Sequence, residues 1–245
     1  MSRVFGFGAV VAALLVLSPI AARAQQMMTL PHGLYAGIDA GVIIPESLGV
    51  HGSASGGGET VTANGNLNFD NGAATGLILG LHLNPWLALE GNFEYAGFDM
   101  RSITGSGTAT GAIAASGPFD FGVNGHMDTF NFLTNAIFTP LGQRTWGGFS
   151  PYIGGGIGFS TISASLDSIT SGGTTVTVNG SDNETDFAAN GIVGVDYRLS
   201  PQLTIGGRYR LLYVNTASSG NSGGIFASND DFIGHVLTAN ATWHF

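Results

Sequence analysis

Hydrophobic residues in this chain recur at every second position within short segments, and polar, glycine-rich stretches separate the segments. In the first segment Leu34, Ala36, Ile38, Ala40, Val42 and Ile44 alternate with Tyr35, Gly37, Asp39, Gly41 and Ile43. A period of two puts the sets on opposite faces of a β-strand, the first toward an apolar medium and the second inward. The pattern returns in 75–83 (Leu77, Leu79, Leu81 against Gly76, Gly80, His82) and in 87–96 (Leu87, Leu89, Phe93, Tyr95 against Glu90, Asn92, Glu94). It returns again in 129–138, where Phe130, Phe132, Ala136 and Phe138 oppose Asn131 and Asn135. Segment 151–161 is predicted as a fifth strand, but its glycines leave the facing open. Segment 187–199 sets Val193, Val195 and Tyr197 against Asn190, Asp196 and Arg198; 203–213 sets Ile205, Tyr209 and Leu211 against Arg208 and Arg210; 237–245 sets Trp243 and Phe245 against Asn240 and His244. The prediction is all-β: an eight-stranded, up-and-down antiparallel barrel.

The connections alternate in length. Asn84-Pro85 and Ser200-Pro201 are tight turns, whereas 45–72, 99–126, 162–184 and 214–231 are rich in Gly, Ser, Thr and Asn and are expected to be long loops. The segment 139–148 is longer than the alternation predicts. Membrane barrels keep short turns in the periplasm and long loops outside, so both termini are expected to be periplasmic. An even strand count lets the last strand close on the first and leaves no unpaired edge in lipid.

Residues 1–24 read as a signal peptide: Arg3, an apolar run from Val4 to Leu17, and Ala22-Arg23-Ala24 before Gln25. That run falls short of the roughly 20 residues a membrane helix needs. The expected mature chain, 25–245, has the size of one undivided domain. It keeps five Arg against 16 acidic residues, a balance of −11. Such acidity excludes nucleic acid as a partner, because phosphate binding needs clustered positive charge. There is no Cys, which removes disulfides, thiol chemistry and Cys-based metal sites.

The ending Ala239–Phe245 resembles the terminal strand by which outer-membrane barrels are recognised for insertion, with Trp243 and Phe245 as the signal residues. Together with Leu34-Tyr35-Ala36-Gly37, the run Pro151–Gly158 and Gly207-Arg208-Tyr209-Arg210, it makes the chain similar to the opacity-type surface antigens, relatives of the OmpA-type membrane domain. The resemblance implies eight strands, an integral place in the outer membrane among its lipids, insertion by the barrel-assembly machinery, and roles from small porin to adhesin. The chain departs from full-length OmpA in ending at the barrel.

Asp39, Glu90, Glu94, Asp196, Arg198, Arg208 and Arg210 all fall on the inward face of this register. An Arg at the lipid midplane costs about 2–4 kcal/mol, which forces the inward placement, and buried charges need partners, so a paired lumen network is expected. It has two readings: a plug that rigidifies a narrow lumen, or a charged constriction in a water-filled path. Tyr95, Tyr213, Trp86 and Trp243 read as interfacial girdles. His82 and His244 are expected to approach each other at the periplasmic mouth. His126 and His235 fall near the outer rim with no Ser or carboxylate identifiable beside them. Gly220-Asn221-Ser222-Gly223-Gly224 matches a nucleophile elbow but lacks the strand-to-helix turn that chemistry needs. No catalytic, cofactor or metal set is expected, so the leading expectation is a non-enzymatic barrel with a structural or small-porin role. An adhesin acting on an extracellular ligand through the long loops is the alternative, and a lipid-A-modifying enzyme the third class.

Overall fold

The computed structural model describes residues 33–56, 59–110, 115–142, 146–171, 173–216 and 230–245. The signal segment 1–24 and the glycine-serine run 220–224 lie outside them. The described residues form ten strands: β1 (Leu34–Pro45), β2 (Leu48–Gly56), β3 (Glu59–Phe69), β4 (Gly72–Asn84), β5 (Leu87–Thr110), β6 (Ala115–Phe138), β7 (Phe149–Ser171), β8 (Thr174–Arg198), β9 (Leu203–Val214) and β10 (Phe232–His244). All pairings are antiparallel. Around the ring β1 pairs β4, then β5 through β10 follow in chain order, and β10 returns to β1, so eight strands close the barrel. The hairpin β2–β3 continues the wall above β1 and β4: β3 pairs the same edge of β5 that β4 pairs lower down, Phe69↔Met100 following Ala73↔Gly97.

The two tight turns are fixed by their own side chains. Asn84 Oδ1 accepts hydrogen bonds from the backbone N–H groups of Trp86 and Leu87, both at 2.9 Å. Ser200 Oγ accepts from Gln202 and Leu203 at 3.2 and 3.0 Å. Such side chain-to-backbone bonds are what Asn and Ser contribute to chain reversals.

The expected long loops are largely β-structure. Segment 45–72 contains β2 and β3, segment 99–126 is the upper halves of β5 and β6, and segment 162–184 is the upper halves of β7 and β8. In 214–231, beyond Val214 at the end of β9, the described residues are in no strand. Strands β5 and β6 have 24 residues each and β8 has 25, whereas about 9–11 suffice to cross a bilayer. Their upper halves therefore run on past the apolar band as paired ribbons.

The outer wall carries exposed Ile38, Val42, Leu77, Leu79, Phe93, Phe132, Ile157, Val193 and Leu237. Water would make this a poor surface; lipid makes it a good one. The facing of the fifth segment, left open by the sequence, is settled in β7: Ile153, Ile157 and Phe159 are exposed, while Tyr152 and Ser160 are buried. Glycine is required where walls come closest. A Cβ on inward Gly158 would fall onto the Phe132 carbonyl oxygen, whereas one on Gly191 would meet nothing within 4 Å.

Candidate functional site

The lumen is filled in layers, each set by alternate residues of the ring strands. Nearest the tight turns, the rings of His82 and His244 stack with centroids 5.9 Å apart, and Tyr35 lies 5.0 Å from His82 and 5.5 Å from His244. The next layer is an ion pair across the barrel. Arg208 donates from Nη1 to Glu90 Oε1 at 2.7 Å and from Nη2 to Oε2 at 3.0 Å. This two-pronged geometry is the strongest arrangement a guanidinium and a carboxylate adopt. Tyr35 donates its hydroxyl to Glu90 at 3.2 Å, and Arg208 Nε donates to the Tyr152 hydroxyl at 3.1 Å. The Arg208 guanidinium also sits 5.5 Å over the Tyr152 ring, within range of a cation–π contact.

One layer higher, Arg210 pairs with Glu94 and lies 3.7 Å from Asp39, so a single cation faces two carboxylates. Asn131 donates to Glu94 at 3.3 Å. Asp39, Glu90, Glu94, Arg208 and Arg210 are all at most 4% exposed. Above them the lining turns apolar. Phe98, Phe232, Leu67, Met100, Leu166, Leu212 and Val214 form one buried cluster, with Phe98 and Phe232 stacked at 5.8 Å.

Of the seven charged residues expected in the lumen, the structure joins Asp39, Glu90, Glu94, Arg208 and Arg210. Asp196 and Arg198 face inward on β8 but line a cavity at the turn end instead, and neither is in an ion pair among the described residues. Sequence reasoning missed Tyr35 and Tyr152 as partners. Tyr35 was legible as inward; Tyr152 sits in the strand whose facing was open.

The rim histidines require a correction, because carboxylates do flank them. His126 Nδ1 lies 2.7 Å from Asp99 and Nε2 lies 3.1 Å from Asp128, which also takes a short hydrogen bond from Tyr95. His235 bridges Tyr209 at 2.8 Å and Glu46 at 3.0 Å. Each set is assembled across strands, on the outer wall above the apolar band. Burial disfavours the charged form of His126, yet its bonds to Asp99 and Asp128 outweigh this and raise its pKa above the ordinary 6.5. Carboxylates at both nitrogens favour the imidazolium form over the free base, and neither ring nitrogen faces a hydroxyl to be activated. No group of three His, Cys, Asp or Glu among the described residues is arranged to hold a metal ion.

A closed antiparallel ring, apolar outside and charged within, defines a transmembrane β-barrel. The chain belongs to the outer membrane protein beta-barrel domain family, whose model matches residues 9–245. This places it in the outer membrane among its lipids. A comparison with curated proteins finds no match. Among solved structures it is similar to a major outer membrane protein from Thermus thermophilus, at 14% identity and a TM-score of 0.48, covering 87% of this chain and 100% of that one. It is also similar to OprG from Pseudomonas aeruginosa, at 13% and 0.47, and to Neisserial surface protein A, at 17% and 0.43; each pair covers 87% of this chain and 97% of the other. At such values the likeness says nothing of ligand or activity.

Proposed function

We propose that this protein is a non-enzymatic structural barrel of the outer membrane whose lumen is closed, with its tight turns and both termini in the periplasm and its long β-ribbons outside. The observation that carries the closed lumen is the pair of occlusions in series: the cross-barrel ion-pair layers and, above them, the apolar cluster around Phe98 and Phe232. Either alone obstructs a narrow eight-stranded interior; a conducting path would have to pass an oily segment after a charged one. The orientation rests on the contrast between the Asn84 and Ser200 turns at one end and the ribbons at the other. Liposomes carrying the refolded barrel are expected to swell in small sugars no faster than empty ones. Rapid swelling would overturn the closed reading in favour of a small porin.

A second role is favoured by the ribbons themselves. Strands β5–β8 hold their pairing through Ala109↔Ala115 and Ser171↔Thr174, giving sparsely charged Ser, Thr and Asn side chains a firm scaffold for surface recognition. Shortening both hairpins to the apolar band is expected to abolish cell attachment while insertion survives. Attachment retained by the shortened barrel would refute this role.

A further inference from the structure

The turn end of the lumen contains a cavity of about 310 Å³, near the small end of the roughly 300–1,000 Å³ typical of ligand pockets. Its inner end is the Glu90–Arg208 pair with Tyr35 and Tyr152, and Pro85, Pro201 and Gly33 stand at its mouth. Glu90 and Arg208 neutralise each other, which leaves two charged residues on the wall without an ion partner. Arg198 is exposed and pairs with no carboxylate among the described residues; its backbone N–H, donated to Gly148, fixes the strand but not the guanidinium. Asp196 is half-buried; the Asn240 amide lies against its carboxylate, but no cation stands within ion-pair distance of it among the described residues.

The two residues alternate on one face of β8, so their backbones are about 6.6 Å apart along the strand. The remaining wall is polar and uncharged: His82 stacks on His244, and His244 Nε2 is 3.3 Å from the Thr204 hydroxyl. A simple anion here would gain Arg198 but face Asp196, and a simple cation would meet the reverse conflict. A molecule carrying both charges a few ångströms apart satisfies both residues and adds no net charge to the pocket.

We propose that this cavity binds a small zwitterion of the α-amino acid class, with its ammonium group on Asp196 and its carboxylate on Arg198. The fork of a guanidinium matches a carboxylate, and an ammonium group brings the Asp196 carboxylate the countercharge that the amide of Asn240 does not supply. That the site is a dead end rests on the closed-lumen reading, which swelling measurements test separately; binding itself does not depend on it.

The test is an NMR titration of the isotope-labelled, refolded barrel in micelles, following the His82 and His244 imidazoles and the Arg198 side chain. Glycine, acetate and methylammonium are the probes. Glycine is expected to bind at least about tenfold more tightly than either single-charge probe, a difference of about 1.4 kcal/mol. Asp196→Asn and Arg198→Gln should each weaken glycine by about tenfold or more. Acetate binding as well as glycine would reduce the cavity to an anion site and overturn the proposal, as would a glycine titration without saturable shifts. Should either variant fail to refold, the three-probe comparison on the unaltered protein still decides the matter.

Discussion

Arg210 is the side chain whose loss the barrel should tolerate least. It is 1% exposed, pairs with Glu94 and lies 3.7 Å from Asp39. Replacing it with Met keeps much of the volume and removes the charge, so two buried carboxylates face each other with no cation between them. Breaking a buried pair by removing one partner costs about 3–5 kcal/mol, and the second carboxylate puts Arg210→Met toward the upper end. Taking all the charges away is a different perturbation. The triple variant Asp39→Asn, Glu94→Gln, Arg210→Met leaves no uncompensated ion and should return to within about 2 kcal/mol of the parent, since a neutral replacement of a buried ion cluster is often close to neutral. The assay is urea unfolding of the barrel refolded in lipid vesicles, followed by tryptophan fluorescence from Trp86 and Trp243 at the strand ends. A loss below about 1 kcal/mol for Arg210→Met would sink the argument, because an exposed, water-screened pair behaves that way and a buried one does not.

Three further outcomes follow from the geometry. Phe232→Ala removes one half of the Phe98–Phe232 stack from the upper apolar cluster and should cost about 3–5 kcal/mol in the same unfolding assay; a cost near zero would mean that the cluster is not packed. Gly158→Ala should impair refolding because its Cβ meets the Phe132 carbonyl, while Gly191→Ala, which meets nothing, should refold like the parent; equal behaviour on a heat-modifiability gel would contradict the close approach. The His126 clamp stabilises the folded chain while its imidazolium persists. Because its folded pKa is raised, that stability is full below the ordinary value of 6.5 and fades as pH rises through the higher folded value. Imidazole NMR should show His126 titrating above 6.5, and Asp99→Asn should bring it down; a midpoint below 6.5 in the parent would remove the clamp.

Where one wall faces lipid, alternation alone revealed the strands and their facing. Asp39, Glu90, Glu94, Arg208 and Arg210 were legible as inward from Ile38, Leu89, Phe93 and Tyr209 beside them, since a charge has no other place beside such neighbours. Which of them meet was not legible. Arg208 is 118 positions from Glu90 and Arg210 is 116 from Glu94, so their pairing depends on ring closure, which no local pattern encodes. Ring closure likewise hid Glu46 from His235, whereas Asp99 and His126 are cross-strand partners in the β5–β6 hairpin and stayed hidden because 99–126 read as a loop. The ribbons were mistaken for loops because their outer ends carry few apolar residues: Thr104 to Thr110 has none larger than Ala109 and Thr174 to Thr185 only Val176 and Val178, so a period of two leaves little trace in hydrophobicity there. Asp196 and Arg198 follow the inward pattern faithfully, yet they lie toward the turn end of β8, beyond the layer where charges cross the barrel.

Whether the lumen is shut twice over is decided by single-channel recording from the refolded barrel in a planar bilayer. With folded, inserted protein shown by its heat-modifiable mobility, a silent membrane at moderate voltage is expected. Discrete, reproducible openings that change in size when Phe232 is replaced with Ala would overturn the closed lumen and make the apolar cluster a gate rather than a plug.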